Sequence, residues 1–546
     1  MPLNNDLKKI LKGEVLDDEA TKAKYSHDAS LFEITPEAVV FPKDTEDLKK
    51  LIKFANENKN ISLTPRSGGT DMTGAPLSES VVLDFTKYFN KIIEVGVQNA
   101  ESGHAVVEPG VFYRDFEKET LKHGLILPTY PASREICAVG GMVANNAGGE
   151  KTLAYGKTEN YVMELHTVLS DGEEHVLRPL NEDELLMKRR RGDLEGEIYR
   201  KMYDLAKYNF DLLQKAEPNV SKNSAGYNLW DIWDGKIFDL TKLFVGSQGT
   251  LGVITKIKFR LVKPKPYSRL TVIFLKDLNL LLEIIRIVMK FQPESFESFD
   301  DHTLKLAMRF LPDLIKILKP KNLIKLGLSF LPEAWMTLTG GFPKLILLVE
   351  LADNNEKNLE NRLQDLKRNL KSLQIKFRIS PNEEDAKKYW TMRRESFNLL
   401  RKHVRGKRTA PFIDDFIVRV EDLPEFLPRL NKILDRYELT YTIAGHVGDG
   451  NFHIIPLMDL ADPKSAEIIR GLSDEVYNLV LEYGGSITAE HNDGLIRSPF
   501  LKKMYGEKVY KLFEETKHIF DPKNIFNPGK KVGASLKYAF EHLVRE

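Results

Sequence analysis

The chain has 546 residues, 42% of them hydrophobic and 29% charged, so it can bury the cores of more than one globular domain. Its formal net charge of +1 provides no overall basic field, which argues against a nucleic-acid-binding protein. The single cysteine, Cys137, excludes disulfides, cysteine-rich zinc sites and iron–sulfur clusters held within this chain.

The N-terminal residues do not have the pattern of a secretory signal peptide. Residues 1–25 are polar and charged and lack the apolar core of a secretory signal. No uncharged apolar run reaches the roughly 18 residues that a membrane-spanning helix needs. The sequence therefore predicts a soluble or peripheral protein of the cytoplasm.

The first half of the chain alternates between strand-like and helix-like segments, which is typical of an α/β or α+β fold. Residues 1–35 predict a helical lead-in, and residues 36–265 predict the first domain. Within it, residues 45–58 predict an amphipathic helix capped at Thr45. The strand-like runs are residues 38–41, 81–83, 105–108 and 165–169.

Pro264-Lys265-Pro266 predicts a linker at the end of the first domain. Residues 266–505 then form a second domain of strand and helix segments, and residues 506–546 form a C-terminal segment. Residues 302–344 are rich in leucine and basic residues. We interpret them as an inserted helical hairpin. The alternative is a patch that contacts the anionic cytoplasmic face of a membrane.

Three glycine-rich segments lie in the first domain, at residues 65–75, 131–149 and 246–255. Glycine permits positive φ and leaves room for successive N–H groups to converge on an anion. Any one of them could be an ordinary loop, but three together favour a bound dinucleotide. Neither the Rossmann pattern at the start of the domain nor the P-loop pattern occurs.

The second domain contains a compact set of metal-ligand residue types. Residues 445–453 read Gly-His-Val-Gly-Asp-Gly-Asn-Phe-His, and Glu490-His491 follow. Imidazole and carboxylate ligands suit zinc or a similar divalent ion, and three protein ligands leave a position open for substrate. The alternative is a chance placement of surface histidines.

These motifs resemble a known family. The three glycine-rich segments resemble the FAD-binding domain of the vanillyl-alcohol oxidase and para-cresol methylhydroxylase type. The C-terminal part resembles the FAD-linked oxidase C-terminal domain of D-lactate, glycolate and D-2-hydroxyglutarate dehydrogenases. The resemblance implies a two-lobed α+β protein with a flavin-binding domain, an α+β substrate cap, and a C-terminal tail that returns to the flavin domain.

The resemblance also implies the residues that bind FAD. Thr70 stands where covalently flavinylated relatives have histidine, so noncovalent FAD is expected. Gln248 stands where the family often has glutamate. Residues expected around the pyrophosphate are Pro65, Arg66, Ser67, Gly68, Gly69, Thr70, Gly74 and Ala75. Those expected along the ribityl chain and ring are Pro131, Ser133, Gly140, Gly141, Asn145 and Gly149, with Val253 or Ile254 near the flavin.

The implied chemistry is oxidation of a D-2-hydroxy acid to the 2-oxo acid, with hydride transfer to the flavin. His446, His453 and Glu490 would bind the metal, and His491 would be the base. Arg394, in a Trp-x-x-x-Arg-Glu pattern, would bind the substrate carboxylate, although a surface arginine is the alternative.

Two departures from the family bear on the substrate. Asn492 replaces a glycine after Glu-His, and asparagine tolerates the left-handed conformation of such a turn. Ile413 stands where 2-hydroxyglutarate enzymes place a lysine, which favours a monocarboxylate such as D-lactate or glycolate.

Electrons are expected to leave to a quinone, an electron-transfer flavoprotein or a separate iron–sulfur subunit, because this chain has one cysteine. Two rival readings are a non-redox flavin transferase resembling alkyl-dihydroxyacetone-phosphate synthase and a non-catalytic flavin-binding scaffold.

Overall fold

The structure is a computed structural model that describes residues 3–309, 312, 313, 315, 342–403 and 406–545. Most of the predicted insertion at 302–344 lies outside the described residues. The strands are β1 (Glu14–Leu16), β2 (Ala38–Phe41), β3 (Leu63–Arg66), β4 (Val81–Asp84), β5 (Ile92–Val97), β6 (Ser102–Val107), β7 (Val162–Val168), β8 (Glu174–Leu177), β9 (Val253–Val262), β10 (Tyr267–Leu275), β11 (Ser295–Asp300), β12 (Leu345–Asp353), β13 (Lys376–Ile379), β14 (Arg408–Thr409), β15 (Phe416–Ile417), β16 (Thr440–His446) and β17 (Asn451–Met458).

The helices follow the same numbering in chain order. They are α1 (Leu3–Ile10), α2 (Glu19–Tyr25), α3 (Thr45–Glu57), α4 (Tyr113–Leu121), α5 (Val139–Asn145), α6 (Thr152–Tyr155), α7 (Glu182–Arg189), α8 (Leu194–Tyr208), α9 (Phe210–Ala216), α10 (Thr241–Phe244), α11 (Leu281–Met289), α12 (Asp301–Arg309), α13 (Glu356–Ser372), α14 (Glu383–His403), α15 (Leu423–Leu434), α16 (Lys464–Glu482), α17 (Gly494–Arg497), α18 (Leu501–Phe520) and α19 (Leu536–Glu541). None of those in the described ranges has the length and apolarity to span a bilayer.

The first lobe contains two sheets. One has the order β1-β2-β4-β3, in which β2, β4 and β3 are parallel. The other is antiparallel, with the order β5-β6-β9-β7-β8. The glycine-rich loop at residues 65–75 leaves the carboxyl end of parallel strand β3, which is where ligands bind in open parallel sheets.

The second lobe is built on one antiparallel sheet with the order β13-β10-β12-β11-β16-β17-β14, and β15 pairs with β17. Apolar residues of α11, α13, α15 and α16 form one large core with this sheet. Helices α12 and α14 pack on each other beside β16 and β10. The chain passes from the five-stranded sheet into this sheet between β9 and β10.

The C-terminal residues return to the first lobe. The Leu63 N–H donates to the Ile525 carbonyl at 2.7 Å, and the Asn527 N–H donates to the Leu63 carbonyl at 3.0 Å. The Asn527 side chain also donates to the carbonyls of Ala75 and Gln248. Lys530, in the same closing segment, donates to the Leu77 carbonyl at 2.8 Å. The tail therefore supports the strand from which the glycine-rich loop leaves.

Two local predictions are corrected. Asp44, not Thr45, caps α3, because the extended Asp44 residue places its carboxylate on the Asp47 N–H. The lead-in contains helices α1 and α2 and also strand β1, which pairs antiparallel with β2. Its short Glu-Val-Leu segment gives too weak an alternation to be recognised without its partner strand.

Candidate active site

A cavity of about 930 Å³ lies between the two lobes. Its first-lobe wall comes from the loop after β3, the residue 130–150 segment and Gln248. Its second-lobe wall comes from α14, β14, β16, β17 and the Glu490-His491 turn. The cavity therefore brings the glycine-rich segments and the histidine cluster to one place.

The loop after β3 has the properties of an anion cradle. Within the described chain, no protein acceptor meets the N–H groups of Gly68, Gly69 and Thr70. Gly69 has a φ of 65°, which an L side chain adopts only with strain. A Cβ on Gly68 would lie 2.8 Å from the Ile136 carbonyl oxygen. These free donors fit the pyrophosphate of a dinucleotide such as FAD.

Carboxylates fix the far half of this loop. Asp71 accepts hydrogen bonds from the N–H groups of Thr73 and Ala75 and from the Thr73 hydroxyl. Asp28 accepts from the Gly74 N–H at 3.1 Å. Arg66, which is expected to meet the pyrophosphate, lines the cavity, and its guanidinium donates to the carbonyls of residues 25 and 27. These hydrogen bonds tie the loop to the preceding segment of the chain.

The second glycine-rich segment lines the same cavity, and its glycines serve close packing. A Cβ on Gly140 would lie 2.5 Å from the Pro109 Cβ, and one on Gly149 would lie 2.2 Å from the Tyr130 carbonyl oxygen. A Cβ on Gly141 would lie 2.9 Å from the Ser67 hydroxyl. The predicted cofactor residues that line the cavity are Pro65, Arg66, Ser67, Gly68, Gly69, Thr70, Ala75, Pro131, Ser133, Gly140, Gly141, Asn145, Gly149 and Ile254.

Gly74 and Val253 were named as cofactor residues but do not line the cavity. Gly74 packs against Phe32 and Leu495 with a φ of 81°, so it serves the turn itself. Val253 is fully buried in the core of the first lobe. Of the two alternatives at that position, Ile254 is the one that faces the cavity, because neighbouring residues of a strand point to opposite faces.

The predicted metal ligands converge. The Nε2 atom of His446 lies 2.9 Å from Glu490 Oε1, and the Nε2 atom of His453 lies 3.5 Å from the same oxygen. The two histidines belong to the paired strands β16 and β17, and their rings lie 5.2 Å apart. The His491 ring stacks on His453 at 4.9 Å. Two nitrogens and one carboxylate oxygen are thus placed to bind one ion.

Carboxylates hold the other nitrogen of each ring. Glu297 lies 2.6 Å from His446 Nδ1. Asp414 lies 3.1 Å from His453 Nδ1 through one oxygen and 2.6 Å from His491 Nδ1 through the other. Such contacts fix the tautomer that leaves Nε2 free. The three Nε2 atoms are therefore available to a metal or a substrate.

The next residue, Asp415, holds the main chain of the turn. Its carboxylate accepts from the N–H groups of Ala489, Glu490 and His491 and from the Thr488 hydroxyl. Ligand atoms of Asp415, His453, Glu490 and His491 lie within 4.8 Å of one another. Asp415 is saturated by these donors, whereas His446, His453 and Glu490 present side-chain atoms that could hold a divalent ion.

The charges of the cluster are strongly coupled. Burial lowers the pKa of His453, but Asp414 and Glu490 outweigh burial and raise that pKa to about 10. Burial also lowers the pKa of His491, and the charges of Asp415 and Asp414 raise it overall. Burial raises the pKa of Glu490, yet Lys222 and His446 hold it well below its usual value. Protons and a dication would compete for these groups.

Lys222 supplies a buried positive charge behind the cluster. Its Nζ lies 3.2 Å from Asp449, 3.4 Å from Glu490 and 3.3 Å from the Asn451 amide oxygen. The side chain is only 1% exposed. Lys222 therefore partly neutralises the carboxylate that both ligand histidines face.

Two neighbouring arginines of α14 line the cavity. Arg394, the residue predicted to bind substrate, pairs with Glu150 of the first lobe. Arg393 pairs with Glu297, behind His446. Arg394 therefore lies where a carboxylate in the cavity would have to compete with Glu150.

Polar contacts also join the lobes beside the cavity. Lys151 and Tyr155 of the first lobe reach Glu294 of the second at 2.9 and 2.8 Å. Burial raises the pKa of nearby Glu350 to about 7, against the charge of Lys151.

Asn492 has a φ of 70°, which confirms that asparagine supports the left-handed turn. Its side-chain amide donates to the carbonyls of Gly246 and Asn145.

Ile413 does not face the cavity. It is fully buried in the core of the second lobe, and the expectation that a second substrate carboxylate would find no partner at this position stays a prediction. The cavity-side group of this segment is instead the Asp414 carboxylate, between the two histidines. Sequence reasoning missed Asp414, Asp415, Glu297 and Lys222. The only available signal was the adjacent Asp-Asp pair, which has no motif spacing to the histidines.

Models of known families match both lobes. The model described as "FAD binding domain" matches residues 36–178. The model described as "FAD linked oxidases, C-terminal domain" matches residues 265–531. These matches confirm the resemblance inferred from the motifs.

Curated relatives cover most of the chain. A D-2-hydroxyglutarate dehydrogenase of Pseudomonas putida is 28% identical over 95% of this chain and 50% of its own length. A D-lactate dehydrogenase of Archaeoglobus fulgidus is 28% identical over 90% of this chain and 91% of its own. A glycolate oxidase subunit of Bacillus subtilis is 27% identical over 94% and 93%. The chain thus spans about half the length of the D-2-hydroxyglutarate dehydrogenase it matches.

Solved structures share the fold. p-Cresol methylhydroxylase with substrate bound has a TM-score of 0.68, 18% identity, and coverage of 96% of this chain and 95% of its own. An alkyldihydroxyacetonephosphate synthase has a TM-score of 0.65, 16% identity, and coverage of 96% and 84%. The predicted two-lobed α+β fold, with its returning tail, is confirmed.

Proposed function

Because the chain belongs to the FAD-linked oxidase family, we propose that it is a flavin-dependent dehydrogenase that oxidises a D-2-hydroxy acid to the 2-oxo acid. The observation that carries this proposal is the meeting of two sites in one cavity. The free N–H groups of Gly68, Gly69 and Thr70 suit the FAD pyrophosphate, and His446, His453, Glu490 and His491 face the same space.

The oxidation removes a proton from the substrate hydroxyl and a hydride from the adjacent carbon. When bound, FAD supplies the two-electron acceptor. His491 is proposed to take the hydroxyl proton at Nε2, because Asp414 holds its Nδ1. Arg394 is proposed to bind the substrate carboxylate by exchanging its Glu150 partner for the substrate.

A divalent metal, zinc or a similar ion, is the second proposed cofactor. Two imidazole nitrogens and one carboxylate oxygen form a three-ligand set, with Glu297 and Asp414 behind the imidazoles. A metal there would polarise the substrate hydroxyl and fix its orientation. We retain a monocarboxylate, D-lactate or glycolate-like, as the proposed substrate. Arg393 and Arg394, the two arginines of α14 that line the cavity, already pair with protein carboxylates. This pairing supports a substrate with a single carboxylate, and the support no longer depends on Ile413.

The electron acceptor is proposed to be a separate quinone, electron-transfer flavoprotein or iron–sulfur subunit. Peripheral contact with the cytoplasmic membrane face is a further hypothesis. It rests on the sequence of residues 302–344, which lie mostly outside the described residues. Pelleting with anionic liposomes at low salt tests it. Retention is expected, and complete recovery in the supernatant would contradict it.

The function is tested by anaerobic bleaching of the protein-bound flavin with D- and L-2-hydroxy acids. We expect a D-acid to bleach the flavin, and we expect chelator or His491→Ala to abolish the reaction. His123→Ala, at an exposed histidine outside the cavity, is the control. Bound flavin that no hydroxy acid reduces would contradict the proposal and favour a transferase.

A further inference from the structure

The cavity continues past the histidines along the second-lobe sheet. Five neutral residues form this distal face, which we define as Thr303, Thr409, Thr442, Ala444 and Ile455. They come from α12, β14, β16 and β17. Four of the five residues therefore belong to the sheet that carries His446 and His453, and Thr303 belongs to the adjacent helix α12.

The strand register sets the distance from the proposed metal to the distal face. Ala444 pairs with His453, and Thr442 pairs with Ile455. The Thr442–Ile455 pair thus lies about 7 Å farther along the hairpin than the His453 pair. A substrate held at the histidines needs a tail of several atoms beyond its reacting carbon to reach it. D-Lactate and glycolate would leave it unused.

The distal face offers hydroxyl groups that lack partners. Thr303 is 1% exposed, and its buried Oγ1 makes no hydrogen bond. The hydrogen bonds among the described residues likewise include none to the hydroxyls of Thr409 and Thr442. Thr442 is 6% exposed and lines the cavity, so a ligand group that forms a hydrogen bond to its hydroxyl gains affinity.

The cations around the cavity are already engaged. Among the described lining residues, Arg393 pairs with Glu297, Arg394 with Glu150 and Arg134 with Glu117, and Arg66 donates to two main-chain carbonyls. One substrate carboxylate can be accommodated by displacing Glu150. A second carboxylate at the far end of the tail would have to break another buried pair or remain unpaired, which is costly.

We propose that the distal face is a subsite for a neutral tail that bears a hydroxyl group. The substrate class would then be 2-hydroxy acids with several carbons and a second alcohol. This inference rests on the proposed function and extends it beyond short acids.

The test compares four D-2-hydroxy acids with the flavin-loaded protein. They are D-lactate, D-2-hydroxyglutarate, and two analogues of the latter in which a hydroxymethyl or a methyl group replaces the distal carboxylate. The second-order rate constant of anaerobic flavin bleaching is measured for each. We expect the hydroxymethyl analogue to exceed both D-2-hydroxyglutarate and the methyl analogue by about tenfold, the effect of one hydrogen bond.

Thr442→Val and Thr409→Val remove hydroxyls that line the cavity without changing side-chain size. Each should lower the rate with the hydroxymethyl analogue severalfold and leave the D-lactate rate unchanged. Thr271→Val is the matched control, because Thr271 is buried in the same sheet with an unpartnered hydroxyl but does not line the cavity.

Faster bleaching by D-2-hydroxyglutarate than by its hydroxymethyl analogue would overturn the inference and leave the proposed function standing. Equal losses with D-lactate and the analogue would also overturn it. If no hydroxy acid bleaches the flavin, the proposed function fails and the subsite fails with it.

Discussion

The carboxylate of Asp414 lies between two imidazoles, and Asp414→Asn tests what that placement does. Its two oxygens lie 3.1 Å from His453 Nδ1 and 2.6 Å from His491 Nδ1. A carboxylate accepts from both N–H groups, which leaves the Nε2 lone pair free on each ring. Asparagine has one acceptor oxygen and one NH₂ donor of nearly the same shape.

The NH₂ group must face one of the two Nδ1 atoms in the variant. That ring then has to carry its proton on Nε2, because two donors cannot face each other. If the affected ring is His453, the metal loses a ligand. If it is His491, the base loses its acceptor nitrogen. Asp414 is fully buried, and the two rings, 15% and 24% exposed, stack on each other, which restrains them from turning away.

The two cases differ in magnitude and in rescue. Loss of an outer-shell partner of a ligand histidine typically lowers metal affinity by about 10–100-fold, and excess metal should restore activity. A base in the wrong tautomer costs about 10⁴-fold in rate, and metal should not restore it. Metal affinity is measured by competition with a chelator, and rate by anaerobic bleaching with D-lactate.

The control is Asp171→Asn, at an aspartate that contacts His175 at 2.9 Å on the surface of the first lobe. It should leave both quantities unchanged. If Asp414→Asn changed neither metal affinity nor bleaching rate by more than about twofold, the tautomer argument would be wrong.

Three further changes test other parts of the site. Asn492→Gly keeps the left-handed turn but loses two inter-lobe hydrogen bonds, so the free energy of unfolding should fall by about 2 kcal/mol. Asn492→Ala should lower it by about 1 kcal/mol more, because alanine is strained at the positive φ of this turn. Urea unfolding measures both values, and equal stabilities would contradict the role of the turn. Burial raises the pKa of Glu350 to about 7, so the contribution of Glu350 to stability is greatest below about pH 4.5 and is lost as pH rises through 7. Between pH 5 and 8 the free energy of unfolding of Glu350→Gln should therefore exceed that of wild type by up to about 3 kcal/mol, as unfolding midpoints would reveal. Glu37→Gln, at the surface, is the control and should show no such gain. Lys222→Met leaves two buried carboxylates without their cation, so the free energy of unfolding of the metal-free protein should fall by about 3–5 kcal/mol. Added zinc should then raise the melting temperature of the variant more than that of wild type. An equal response to zinc would argue against an effect of Lys222 on Glu490.

Local patterns in the sequence predicted much of the site. The glycine-rich loop is contiguous, and its glycines can adopt the positive φ angles that an anion cradle requires. His446 and His453 flank one tight hairpin, so their spacing in sequence is also their proximity in space. The residues proposed to bind a metal and the loop proposed to hold the cofactor could therefore be named before the fold was known.

The supporting groups could not be predicted because they come from distant segments. Glu297 is 149 residues from His446, and Asp414 is 39 residues from His453. Glu297 lies in a short buried strand and Asp414 in an apolar loop beside Asp415, and neither segment has a spacing that relates it to the histidines. Ile413 illustrates the converse, since a position chosen by motif alignment turns out to face the core while its neighbour faces the site.

The contact between the C-terminal tail and β3 bears on the order in which the chain folds. Asn527 meets Thr64 across 463 residues of chain, and the whole second lobe lies between them. During synthesis the strand that leads into the cofactor loop emerges early, yet it gains this neighbour only after residue 527 has left the ribosome. Stable retention of the cofactor should therefore have to wait for the synthesis of residue 527, and nascent chains that end before it should be sensitive to proteolysis within the first lobe.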